Sequence, residues 1–287
     1  MPGLTYIRGA ARIVYADEAH GLRGEASYTE YVPEFVGDKP IIRSDVREVA
    51  GVLRGEWSPL ALEAGVSVRE QQPRPFGSAT VQFVGTRERG ASATLMVNTI
   101  TSDTARLRAL GTRDALAVNA GVGFGEHVWS SARLLAEAFY TRDDRTLLGS
   151  GVTLDAAVGS SYARPTTLGS LSVRAFGRVA PRFAEKLPSS ERDGAWMAGT
   201  SEWAGVGVSF GRGQLDAPPL FGRQFVYILD TGVGWLWPLS GIGYNAQARV
   251  GVSIIGSDLL SVSAGASNVI GAHGYSAQVG YALSFAH

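Results

Sequence analysis

Apolar and polar residues alternate along this chain with a period of two. "VSVRE", "ATVQFVG", "ALAVNAGVGF", "VTLDAAVG", "SLSVRAFGRV", "NAQARVGVSII", "LLSVSAGAS" and the terminal "YSAQVGYALSF" all show it. Two is the strand period, because successive side chains leave opposite faces of a pleated backbone. Turn signals separate the runs: "ADEAHG", "WSPL", "QQPRPFG", "TRERG", "FGE", "TRDDRT", "WPLSG", "IGSD" and "IGAHG". The pattern predicts about fifteen strands of roughly 10 to 15 residues. One short helix is predicted at 102–111, "SDTARLRALG", with Asp103 as cap and Gly111 as stop.

The strand length carries information. Soluble strands cluster near ~5–6 residues, whereas tilted membrane-crossing strands need ~9–11. The connections also alternate. "FGE", "WSPL", "TRERG" and "IGSD" are short, while "YVPEFVGDKPII", 102–113 and "RVAPRFAEKLPSSERDGAWM" are long and polar. Short turns at one end and long loops at the other is the outer-membrane barrel pattern. The segment 211–223, "GRGQLDAPPLFGR", breaks it by falling where a short turn is expected.

Each clear strand has one greasy face. Val250, Val252 and Ile254 oppose Arg249 and Ser253; Phe225, Leu229, Val233, Trp235 and Trp237 oppose Asp230; Leu134 and Ala136 oppose Arg133 and Glu137. A soluble sandwich gives the same alternation, but aromatic residues at strand ends and mixed charges on the other face favour lipid outside and water inside. Closure into a barrel also removes the open edges of so many long strands. The expected fold is all-β: a single antiparallel transmembrane barrel over 1–287. The even-number habit of bacterial barrels gives about sixteen strands, with about fourteen as the second choice.

Composition adds limits. Lys+Arg and Asp+Glu both number 26, which excludes whole-chain attraction to nucleic acid. Zero Cys excludes a disulfide framework and a Cys nucleophile. The first twenty residues show no basic-then-apolar leader.

The terminal segment from Gln278 to Phe285 resembles the β-signal of outer-membrane proteins, polar-x-Gly-x-x-hydrophobic-x-hydrophobic. Gln278, Gly280, Tyr281, Leu283 and Phe285 carry that resemblance, which implies reading by the barrel-assembly machinery. The stretch 101–159, with "DTARLRALGTR", "YTRD" and "LGSG", is similar to the barrel of exopolysaccharide-export porins, the Pel polysaccharide exporters above all. The cellulose-exporter family is a looser relative. The resemblance implies the C-terminal domain of a longer protein with a periplasmic helical-repeat scaffold, placed in the bacterial outer membrane. It implies a polysaccharide substrate of partly cationic amino-sugar type, a lipid surround, and a periplasmic or lipoprotein partner in the export complex. A general diffusion porin is the alternative.

The function then belongs to the lumen. The polymer-contact candidates are Glu48, Glu56, Glu63, Glu137, Asp155, Asp230, Arg133 and Arg249, with Glu25, Arg54, Arg69, Arg174 and Arg178 also predicted to face inward. Many weak polar contacts let a chain slide rather than stick. The four histidines (His20, His127, His273 and His287) lie in or beside turns or at the terminus, without metal-ligand spacing. Gly121, Gly123 and Gly125 alternate down a strand and do not open a phosphate-binding helix. No Ser-His-Asp set can be assembled, so the reading assigns no enzyme activity, cofactor or metal. "TRDDRT" at 141–146 reads as a solvated tip.

Overall fold

The computed structural model describes residues 6–16, 20–31, 34–36, 39–42, 47–69, 72–86, 89–99, 111–124, 127–142, 144–163, 169–184, 200–212, 225–237, 240–254, 259–268 and 274–285. The chain opens with β1 (Tyr6–Ala16) and β2 (His20–Tyr31), followed by a separate small hairpin of β3 (Glu34–Val36) and β4 (Lys39–Ile42). A run of hairpins follows: β5 (Arg47–Trp57), β6 (Leu60–Arg69), β7 (Gln72–Thr86), β8 (Arg89–Thr99), β9 (Gly111–Phe124) and β10 (Val128–Thr141). Then come β11 (Leu147–Ala163), β12 (Ser170–Ala180), β13 (Arg182–Ala184) and β14 (Ser201–Arg212). The chain ends with β15 (Phe225–Leu236), β16 (Gly241–Val252), β17 (Leu259–Ser267) and β18 (Gly274–Phe285).

Apart from the β3–β4 hairpin, each strand pairs with its sequence neighbour, β2 with β5, and β1 with β18, so the pairings run round a complete ring. β13 extends β12 past Pro181 without a change of register, Leu154 opposite Val179 and Gly151 opposite Arg182. Counted that way, the ring among the described residues has fifteen long strands of 9 to 17 residues. The expected barrel is present, with one strand fewer than the even-number argument gives. The reason is the seam. An odd ring leaves its first and last strands running the same way, and β1 pairs with β18 in parallel, Gly9 opposite Val279 through Tyr15 opposite Phe285. All other pairs in the ring are antiparallel, as hairpin connections require.

The greasy faces point outward. Leu53, Val66, Leu95, Val122, Val158, Val206, Val233 and Ile242 are all exposed, each from the face opposite the charged residues of its strand. An apolar belt of this extent far exceeds the few hundred Å² that a soluble monomer leaves open, so its solvent is lipid. Three segments depart from the reading of the sequence. β7 takes in most of "QQPRPFG", with Pro73 and Pro75 paired to Val68 and Val66. The long loop starting at Arg178 is strand up to Ala184, and "YVPEFVGDKPII" carries the β3–β4 hairpin. The helix expected at 102–111 lies outside the described residues up to Gly111, where β9 begins.

Candidate functional site: the ion-paired lumen

The inner face is set by strand parity. On β10, Ala132, Leu134 and Ala136 are exposed outward, which turns Arg133, Leu135, Glu137 and Phe139 inward. The same reasoning places Glu48, Arg54 and Glu56 of β5, Glu63 of β6, Asp155 of β11, Asp230 of β15 and Arg249 of β16 on the lumen side. Arg69 lies on the inward parity of β6, and its side chain is outside the described set. Every polymer-contact candidate therefore faces inward. The six acids among them gather into separate groups, each built around arginine.

The most buried group lies toward the long-loop end. Glu137 has a side chain only 1% exposed, with Arg113 Nη1 2.6 Å from Oε1 and Arg182 Nη2 3.0 Å from Oε2. Register brings the three together: Glu137 opposes Gly151, and Gly151 opposes Arg182. A Cβ on Gly151 would collide with the Arg182 side chain, so this glycine clears the path by which Arg182 reaches a strand two places away. Arg182 Nη1 also donates to Thr153 Oγ1 at 3.2 Å. Leu135 packs with Ala115 and Ala117, and Phe139 and Leu148 are almost fully buried. Both sets are apolar groups on the water side.

A second group joins β12, β14 and β15. Arg174 holds Asp230 in a two-pronged contact, 2.7 Å to Oδ1 and 3.0 Å to Oδ2, and donates to Ser209 Oγ at 2.7 Å. Ser209 itself donates to Asp230. Beside it, Phe176 meets Trp203 edge-on with centroids 4.4 Å apart. Arg178 lies 3.6 Å from Asp155. On the other side of the ring, Glu63 accepts Arg23 at 3.6 Å and Arg54 at 3.9 Å, while Arg54 Nε reaches Glu56 at 2.6 Å. Arg133 and Arg249 make no ion pair among the described residues.

The β10–β11 turn is solvated at Asp144, Arg145 and Thr146, but Arg142 beside them turns inward. Arg142 is 4% exposed and reaches the inner face of β5 and β6, with β7, β8 and β9 lying between along the ring. It donates to the Ser67 carbonyl at 3.1 Å and Ser67 Oγ at 3.0 Å, and lies 3.5 Å from Glu48 Oε2. Asp144 and Arg145 are tied down. Asp144 accepts from the Thr141 hydroxyl, from Thr146 N–H at 3.1 Å and from Thr146 Oγ1 at 2.7 Å. Those hydrogen bonds, Thr141 first, lower its pKa to about 2. Arg145, with φ of 56°, donates to Asn98 and to Asp114 at 2.6 Å, and lies over the Tyr140 ring. The described residues of the turn thus form a short bracket, with one arginine turned into the lumen and one to the rim. Its flanking threonines and acids were legible as turn chemistry; its inward direction had no signal in the sequence.

The suggested assembly signal lies in β18, where Tyr281 opposes Leu260 and Gly280 opposes Ser261, whose hydroxyl donates to the Gly280 carbonyl at 3.4 Å. Gln278, Leu283 and Phe285 are placed by register alone, opposite Ser263, Ile13 and Tyr15. Among the described residues no group of three or more His, Asp or Glu could hold a metal ion.

Residues 52–286 match the family model described as PelB, C-terminal beta barrel domain. The match runs from the middle of β5 past the end of β18, leaving β1 and β2 outside it. No curated protein matches the chain.

Proposed function

Because the chain belongs to the PelB C-terminal beta barrel domain family, we propose that it is a passive outer-membrane conduit through which an exopolysaccharide leaves the cell. The observation that supports this reading best is the contrast between the two faces of one ring. Among the described residues the outside presents a belt of large apolar side chains, and the inside carries arginine–carboxylate pairs, Arg174–Asp230 and Arg178–Asp155 among them half-buried and open to water. A duct must wet a polymer without holding it. Carboxylates already engaged by arginine offer hydroxyl groups many shallow contacts and no deep one. Glu56, Glu63, Asp155, Asp230, Arg133 and Arg249 form that contact surface in this reading, while Glu48 and Glu137, both buried, hold the wall together beneath it.

The gate in this reading is the β10–β11 turn, closed by Arg142 on Glu48 and Ser67. Movement of that turn off β5 and β6 widens the mouth at the long-loop end. The chain does no chemistry in this scheme, and transport is driven from the side of synthesis. The assembly machinery reads Gln278 to Phe285, and a periplasmic or lipoprotein partner hands over the polymer.

The test is a pair of measurements. Cells lacking this chain are expected to lose surface polymer while uptake of small solutes stays unchanged, which a general diffusion porin would not give. The purified chain in a planar bilayer is expected to conduct weakly, and Arg142→Ala to raise single-channel conductance about twofold or more, since a wider mouth passes more ions. Normal surface polymer in the deletion strain, with no conductance from either protein, overturns the proposal.

A further inference from the structure

We propose that the inner wall from β10 to β15 carries a sugar-binding track, on which pyranose rings stack against Trp129 and Phe176. The inference rests on the conduit reading above and names what the conduit grips. On β10 and β12 the outward residues Ala132, Leu134, Val173 and Ala175 are exposed, which turns Trp129, Arg174 and Phe176 to the lumen. Both aromatic side chains are half-buried, so part of each ring stays open to lumen water.

Glycines make room for them. A Cβ on Gly159 would lie 2.7 Å from Trp129 Cζ2, and one on Gly232 would lie 3.2 Å from Phe176 Cε1. Each ring therefore leans over bare backbone of another strand, β11 or β15, instead of standing up into the pore. Trp129 Nε1 is fixed by donation to Ser161 Oγ at 2.9 Å, and Ser161 donates on to Ser172 Oγ at 3.1 Å. Phe176 is propped edge-on by Trp203, itself buried with Leu236. Rings held in this way lose little freedom when a ligand arrives.

The polar half of the site stands between the rings. Trp129 opposes Gly159 on one side, and Gly159 opposes Arg174, which precedes Phe176 on the same face of β12. The Arg174 guanidinium lies 6.0 Å from the Phe176 ring centre and holds Asp230 and Ser209. Two strand spacings across and two residues along place the aromatic positions about 12 Å apart. A short oligosaccharide bridges that distance. A pyranose has an apolar C–H face and an edge of hydroxyls. The rings match the face, and the Arg174–Asp230–Ser209 group matches the edge. Stacking contact is non-directional, so a sugar shifts from one ring to the next without a deep well to leave. Arg174 and Asp230 cancel each other, so the track reads the sugar ring and not its charge.

The detergent-solubilised whole chain with the β-linked pentamer of N-acetylglucosamine, read by saturation-transfer NMR, tests the site. Transfer is expected to the ring C–H protons of the pentamer, and none to polyethylene glycol of the same mass. Trp129→Ala and Phe176→Leu each raise the half-saturating pentamer concentration about fivefold or more, while Trp129→Phe stays within about twofold of the wild type. Phe176→Leu keeps an apolar side chain under Trp203 and removes only the ring, which guards against a variant that does not fold. A pentamer that receives no transfer overturns the inference, as does a half-saturation unmoved in both ring-removing variants, and the conduit reading then stands. Binding by a chain that forms no channel in a planar bilayer overturns the conduit reading and, with it, the passage of sugar along the track.

Discussion

Arg142 and Ser67 stand 75 positions apart in the sequence and 3.0 Å apart in the lumen. The contact ties a turn at the end of one hairpin to the inner wall of another, with Glu48 completing it. If the tie acts as one unit, removing either charge undoes it. Glu48→Gln is then expected to raise conductance as Arg142→Ala does, and the double variant to add little to either single one. A double-mutant cycle on single-channel conductance reads that non-additivity. Simple addition of the two effects means the residues act separately.

The bracket that holds Arg142 inward has its own pH limit. Asp144 is lowered from 3.8 to about 2 by hydrogen bonds, first from Thr141 and then from Thr146. A depressed acid contributes stability that is present above its unfolded value and lost as pH falls through its folded one. The turn is therefore expected to loosen between about pH 4 and about pH 2, with conductance rising across that window. Asp144→Asn reproduces the loosened state at neutral pH. A conductance that stays level down to pH 2 in the wild type contradicts this.

Gly151 is expected to tolerate no side chain. Gly151→Ala displaces Arg182 and leaves Glu137 with Arg113 alone; Glu137→Ala strips both arginines of their acid. Breaking a buried pair in this way costs about 3–5 kcal/mol. Urea unfolding in phospholipid vesicles measures it, and a loss under about 1 kcal/mol for Glu137→Ala means that lumen water replaces the carboxylate.

Neighbouring positions on β16 test the two faces against each other. Ala248 points out and Arg249 in. Ala248→Arg is expected to cost about 2–4 kcal/mol, as for arginine at the bilayer midplane. Arg249→Gln, on the water side, is expected to stay within about 1 kcal/mol, as exposed charges do. The same unfolding experiment compares them, and a reversed order inverts the barrel's faces.

Phe285 is the last residue of the seam register, opposite Tyr15. Truncation before it is expected to reduce the amount of heat-modifiable, membrane-inserted protein in cells while leaving the conductance of whatever inserts unchanged. Equal yields of full and truncated chains remove the assembly role of that residue.

The outward faces were legible because lipid imposes one demand on every second residue, and β16 and β15 obey it without exception where a large side chain stands. The lumen's charges were legible as inward and not as partners. Pairing depends on register, and nothing local to Glu137 tells that Arg182 arrives across a glycine on the strand between. Leu135, Phe139 and Leu148 hid for the opposite reason: "ARLLAEAFY" is apolar on both faces, which blurs the period where the lumen is packed. The even number came from a general habit, and the described residues show fifteen long strands. Evenness holds where both ends of the ring meet antiparallel, and here they do not.

The β1–β18 seam also orders events in time. Every other junction joins strands near in sequence and can form as a local hairpin, whereas this one brings together residues as far apart as Gly9 and Val279. The entropy of closing so large a loop falls on a single pair, and that pair is parallel, the slightly weaker kind of ladder. The ring is thus zipped from many places and fastened at one. The line from Gly9 to Tyr15 is expected to fasten last and, under load, to part first.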